Sequence, residues 1–265
     1  MSVESGDDAL TLVTLGALAF VLADVSHEAL GHGVAALVVG AKPVILTTCY
    51  FGHDGSTSKW IPASGGLGNI VIGLISLVLL RTINPQSSRF RYFLVLALAF
   101  NLLFATAYPA YSGIASFGDW AAVISGFTPR WLWPILLVVA SVFFYYLSLE
   151  IIASAIRPFC GSRQHEDLVR LRRITVLPYL AALAISGLGG ALNPLGRTMI
   201  FTAALPAAAA AFGLTQMDHF TRAISPDSPA YRAGPIARSY GWIVMTALVL
   251  VFFVAVLGPG IRFSP

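Results

Sequence analysis

Charge is scarce in this chain. Only 11% of its 265 residues are Asp, Glu, Lys or Arg, against 57% hydrophobic, too little charge for the surface of an ordinary soluble domain. Cysteine is nearly absent: Cys49 and Cys160 fall in different connections, on opposite sides of a bilayer by the span count below, so a disulfide framework is excluded. No internal repeat or low-complexity linker marks off a soluble domain. The basic residues are not interleaved with aromatics, which excludes a nucleic-acid surface. The first eight residues are acidic and lack the basic region of a signal peptide, so the first apolar run is expected to be retained.

What the chain does have is long apolar sequence. Apolar length and helix breakers predict about seven spans, at 9–39, 64–81, 91–112, 131–156, 174–192, 198–215 and 239–258. The expected fold class is an all-α polytopic membrane protein: a bundle of about seven transmembrane helices in one membrane domain, 1–265. Arginines follow the even-numbered spans: Arg81, Arg89 and Arg91; Arg157, Arg163, Arg170, Arg172 and Arg173; Arg222, Arg232 and Arg238. The excess of positive charge on the cytoplasmic side then puts the N-terminus inside and the ends of spans one and three outside. Asp218 and His219, after the sixth predicted span, read as solvated.

The first apolar run is interrupted by Asp24-Val25-Ser26-His27-Glu28-Ala29-Leu30-Gly31-His32-Gly33. Four ionisable side chains at membrane depth are costly, and such residues mark functional sites. A His-Glu pair with a second His points to a metal centre, with Glu28 as general base. The spacing is unusual, because three residues separate Glu28 from His32. In a regular helix, residues five apart diverge by roughly 140° and residues four apart by about 40°. Two ligand sets follow. A π-bulge, made cheaper by Gly31 and Gly33, would turn His27 and His32 toward one ion. A regular helix would instead line up Asp24, Glu28 and His32.

The connection 42–63 is β-branched and aromatic from Val44 to Phe51 and carries the turn signal Asp54-Gly55, so a short β-hairpin between helices 1 and 2 is expected. Its edge could pair with an extended peptide. His53 in this connection is a candidate fourth ligand, and it and Asp24 are candidates for the residues behind the ligands. Span two opens with Ser64-Gly65-Gly66-Leu67-Gly68-Asn69, small residues that permit close helix approach. Span three carries Asn101, Tyr108 and Tyr111 and ends at Phe117-Gly118-Asp119-Trp120. Counting spans puts Asp119 on the same side of the membrane as His27 and His32, which makes it the candidate third ligand. Asn69, Asn101, Tyr108 and Tyr111 are candidate donors to a substrate oxyanion.

Together these residues resemble the catalytic core of the site-2 protease family of intramembrane zinc metalloproteases, here as a divergent member with His-Glu-x-x-x-His in place of His-Glu-x-x-His. The resemblance covers about half the chain: His27, Glu28 and His32 are similar to the first zinc motif, Gly65 and Asn69 to a small-residue turn followed by Asn, and Asn101 with Asp119 to the third core helix. It implies Zn2+ held by His27, His32 and Asp119, and Glu28 activating water to cleave peptide bonds of membrane-associated substrates. It also implies a core in 1–127, accessory helices in 128–265, and a bacterial inner membrane. The string His-Glu-Ala-Leu-Gly-His also resembles that of the soluble dipeptidyl peptidase III family, which shares the longer spacing. Two other functions fit the same residues: a zinc hydrolase acting on a lipid amide or ester, and a non-enzymatic membrane protein that handles metal ions or protons.

Overall fold

The computed structural model describes residues 6–82, 88–160, 165–221 and 233–263. Arg163, Arg222 and Arg232 of the charge count lie outside them. Among the described residues, seven helices are long and apolar enough to cross a membrane. They are α1 (Ala9–Val38), α2 (Trp60–Thr82), α3 (Ser88–Ala115), α5 (Leu132–Phe159), α6 (Asp167–Ala191), α7 (Ile200–Thr221) and α8 (Tyr240–Leu257). A short helix, α4 (Asp119–Ile124), lies between α3 and α5.

The bundle is built around α3. Every residue from Leu94 to Ala105 is buried, as expected of a helix apolar on all faces. Leu96, Phe100 and Leu103 of α3 share one core with Leu12 and Leu15 of α1, Ile152 and Ile156 of α5 and Ile174 of α6. The outward faces are also apolar, with Val71 and Val78 on α2, Val139 and Phe143 on α5, and Leu248 and Val251 on α8 exposed. Apolar residues inside and outside at the same depth suit a bundle solvated by hydrocarbon chains.

Two spans differ from the sequence expectation for a physical reason. Helix α6 begins well before residue 174, because Arg170 is held at the bundle end by a two-pronged bond to Asp7 at 2.7 and 3.1 Å. Helix α7 runs on to Thr221, so Asp218 is buried and accepts from Arg172 at 3.2 Å instead of being solvated.

Between α1 and α2 the chain forms β1 (Lys42–Leu46) and β2 (Phe51–Asp54), paired antiparallel. The reversal comes at Thr47–Tyr50, where the Thr47 N–H donates to the Tyr50 carbonyl at 2.9 Å. Asp54-Gly55 ends β2 instead of turning the hairpin, with Gly55 at φ 84°. A third strand, β3 (Ile261–Arg262), pairs with β1 to give the order β2-β1-β3. All three strands are connected to ends of α1, α2 and α8, so the sheet caps one end of the bundle and leaves β2 at its edge.

Candidate metal centre

Helix α1 is not α-helical throughout. Ser26–Gly33 winds as a π-helix between two α-helical segments. Closing i→i+5 widens the turn, so residues five apart come round to the same face. His27 and His32 therefore face each other, with ring centroids 4.7 Å apart and planes at 90°. Of the two ligand sets, the one that comes together is that of His27 and His32: among the described residues no group of potential ligands contains Asp24 or Glu28.

Asp119 completes the group. Its Oδ2 lies 2.9 Å from His27 Nε2 and 3.1 Å from His32 Nε2. The three ligand atoms all lie within 4.8 Å of one another. Asp119 sits at the first position of α4, and the preceding Gly118, at φ 86°, takes a left-handed turn open chiefly to glycine. The backbone N–H of Asp119 donates to the Tyr108 hydroxyl at 3.3 Å.

Each imidazole is oriented from behind. The Asn69 amide nitrogen donates to the Ala23 carbonyl at 2.7 Å and to Asn101 Oδ1 at 3.0 Å. Its oxygen is left facing His27 Nδ1 at 2.9 Å, so Nδ1 carries the proton. His32 Nδ1 lies 2.7 Å from the Ile61 carbonyl, an acceptor only, and is protonated for the same reason. Phe104 stacks on the His27 ring at 4.7 Å and 23°. With hydrogen on both Nδ1 atoms, the lone pairs of two Nε2 atoms and of a carboxylate oxygen converge. Three acceptors at this range repel unless positive charge, from protons or a metal ion, lies between them. Oxygen and nitrogen held this way by partners behind them is the arrangement of metal ligands generally.

Room for an ion is provided by Gly65. A Cβ at that residue would fall 2.6 Å from His27 Nε2 and 2.6 Å from His32 Nε2, in the gap between the ligands. The absence of a side chain leaves that gap open, so the donor set and the space both fit a metal. Gly31 and Gly68 bring α1 and α2 into the contact that makes this possible: a Cβ on Gly31 would strike the backbone of Ser64 and Gly65, and one on Gly68 the carbonyl of Ser26.

Burial pushes the Asp119 carboxyl up, but with His32 and His27 protonated their positive charge outweighs it and holds the carboxyl well below the ordinary carboxylate range. The ligand group opens on a cavity of about 370 Å³, lined also by Glu28, Cys49, His53 and Tyr108. Glu28 is 8% exposed and also borders a smaller space of about 30 Å³ shared with Asp24 and Cys49, room for about one water.

Several side chains expected to face a substrate or to back the ligands are placed elsewhere. Asn69 and Asn101 are fully buried and do not line the cavity, because Asn69 is consumed by His27 and Asn101 donates to the Ala97 carbonyl at 2.8 Å. The two amides stand behind the His27 ring, away from the cavity where an oxyanion would form. Tyr111 donates to the Thr202 carbonyl at 2.8 Å and is not among the cavity residues. Tyr108 remains at the site. Neither Asp24 nor His53 holds an imidazole: Asp24 lies beside Glu28 on the small space, and His53 lines the large cavity but stands outside the three-residue ligand group.

Sequence reasoning missed two elements. The Ile61 carbonyl has no signature in residue type. Cys49, at the hairpin turn, lines both spaces and accepts from Asn193 at 3.4 Å. Its occurrence in the connection after the His-Glu motif was the available signal. Burial, with the carboxylates of Asp24 and Glu28, pushes its thiol up to about 12, so it is protonated at neutral pH. Comparison with protein-family models, with curated proteins and with solved structures finds no match for this chain.

Proposed function

We propose that this multi-pass membrane protein is a zinc-dependent hydrolase of the site-2 protease kind, which cleaves peptide bonds of membrane-associated substrates. The observation that carries the reading is the convergence of His27 Nε2, His32 Nε2 and Asp119 Oδ2 around the gap beside Gly65. Buried imidazoles whose far nitrogens are fixed by Asn69 and the Ile61 carbonyl match the way catalytic zinc is held by three protein ligands with a fourth position open. Zinc there would supply Lewis acidity, making a bound water acidic near neutral pH.

The chain's own groups do the rest. Glu28, adjacent to His27 and facing the cavity, takes the proton from the attacking water and returns it to the leaving amine. Tyr108 accepts the Asp119 backbone N–H through its hydroxyl oxygen and lines the cavity, so its O–H is the donor that would stabilise negative charge on the substrate carbonyl. The β2 strand bounds the same cavity and has an unpaired edge, which favours a peptide over a lipid amide or ester.

The basic residues Arg81, Arg89, Arg157, Arg170 and Arg238 support a cytoplasmic N-terminus, with the metal group toward the outer side of, by resemblance, a bacterial plasma membrane. A cysteine in place of Ser56 should be labelled by an impermeant maleimide from outside; protection there reverses the orientation.

Metal analysis of the purified protein tests the function. About one zinc per chain is expected, lost in His32→Ala. Glu28→Gln should keep zinc while turnover of a membrane-tethered peptide falls by at least about 10²-fold. Wild-type protein free of any bound metal would refute the hydrolase and favour a carrier, and full turnover in Glu28→Gln would remove Glu28 from the role of base.

A further inference from the structure

The third ligand is carried by a lightly anchored part of the fold. Helix α4 has six residues, none of them buried, too few to hold a helix without outside contacts. Left-handed glycines bound it on both sides, Gly118 at φ 86° and Gly126 at φ 82°. Asp119 occupies the first position, so the direction of α4 decides where its carboxylate points. The Tyr108 hydroxyl holds that end by accepting the Asp119 N–H.

The far end is held by Lys59, which stands just before α2. Its ammonium donates to the carbonyl of Ser125, the residue that caps the C-terminus of α4. The same ammonium sits over the Phe127 ring, 4.0 Å from its centre. A positive charge suits both partners, because carbonyls at the end of a helix lack partners within it and the face of an aromatic ring is electron-rich. Lys59 is exposed, so either contact alone would hold little. Shared by one ammonium, they fix α4 and the turn after it to the start of α2. That start also serves another ligand: two residues on from Lys59, the Ile61 carbonyl fixes His32. Ile61 and Pro62 line the cavity together with Phe117, Asp119 and Ala122, so the Lys59 clasp joins two of its walls.

We propose that Lys59 is a positioning residue of the metal centre: it fastens α4 to α2 and so keeps the Asp119 carboxylate at the two imidazoles. This rests on the metal centre of the hydrolase reading above. Helix α2 and the residue before it then orient all three ligands, His27 through Asn69, His32 through Ile61 and Asp119 through Lys59. Without the clasp α4 turns away for part of the time, and affinity for the ion falls in proportion to the fraction of protein that keeps Asp119 in place.

The test is the zinc affinity of the full-length protein in detergent, read by competition with a chromogenic chelator. Lys59→Met keeps the length of the stem and removes the charge, and should weaken zinc binding about three- to tenfold. Lys59→Arg, whose guanidinium also donates to carbonyls and stacks on rings, should recover most of the loss. In an Asp119→Ala background Lys59→Met should cost nothing further, because no carboxylate is left to place. Unchanged affinity in Lys59→Met, no recovery in Lys59→Arg, or a loss of the same size with and without Asp119 would each overturn the role. Wild-type protein without zinc would instead overturn the metal centre, and this role with it.

Discussion

Substituting Gly65 by alanine isolates the proposed metal centre from the stability of the fold. The added Cβ would lie 2.6 Å from both Nε2 atoms, whereas ordinary contacts begin at 3.4 Å. The shortfall is about 0.8 Å, four times the roughly 0.2 Å tolerance of metal–ligand distances. One imidazole must therefore leave. Disturbing a group behind a metal ligand already costs roughly 10- to 100-fold in affinity, so displacing a ligand should exceed about 100-fold, or about 2.7 kcal/mol. The helix itself should not suffer, since alanine is favoured over glycine in a helix interior by about 1 kcal/mol. Gly66→Ala is the matched control: its Cβ would meet the Trp120 ring at 3.6 Å, an ordinary contact. The assay is zinc content after purification, followed by competition with a chromogenic chelator and a thermal unfolding scan of both variants. Wild-type zinc affinity in Gly65→Ala would show that the ion does not sit between His27 and His32, and the site described above would be wrong.

Asn69→Ala should weaken zinc binding roughly 10- to 100-fold without abolishing it, because His27 keeps its ring stacked on Phe104 but loses the acceptor that fixes its tautomer; chelator competition reads the change. Cys49 should resist alkylation. Its thiol, raised from an ordinary 9.0 to about 12, is protonated in the fold up to that pH, so at pH 8 the thiolate is about 10³-fold rarer than in the unfolded chain. Maleimide labelling at pH 8 should be slow in detergent and fast after denaturation in SDS, and rapid labelling of the folded protein would contradict the burial of this thiol beside Asp24 and Glu28.

The membrane class and the seven spans were legible from residue order alone, because hydropathy is a local property summed over about 20 residues. So was the gathering of Asp24, His27, Glu28 and His32 at membrane depth, since they are neighbours along one helix. The boundaries of α6 and α7 were not legible, because Asp7–Arg170 and Arg172–Asp218 pairs let charged residues begin or end a helix.

How the first helix winds, and what each polar side chain faces, came from packing. Spacing alone left open two ligand sets; the π turn over Ser26–Gly33 selects His27 and His32, packed against Gly65 where no side chain intrudes. The same contact turns Asn69 toward the back of His27, although its type and depth suited a cavity equally well. His53 shows the converse: a solvated loop histidine or a fourth ligand by residue type and position, it is carried to the cavity beside His27, His32 and Asp119 by strand pairing with β1, and stays outside their group. Such outcomes depend on the rotation and close approach of elements far apart in the chain, which no local pattern encodes.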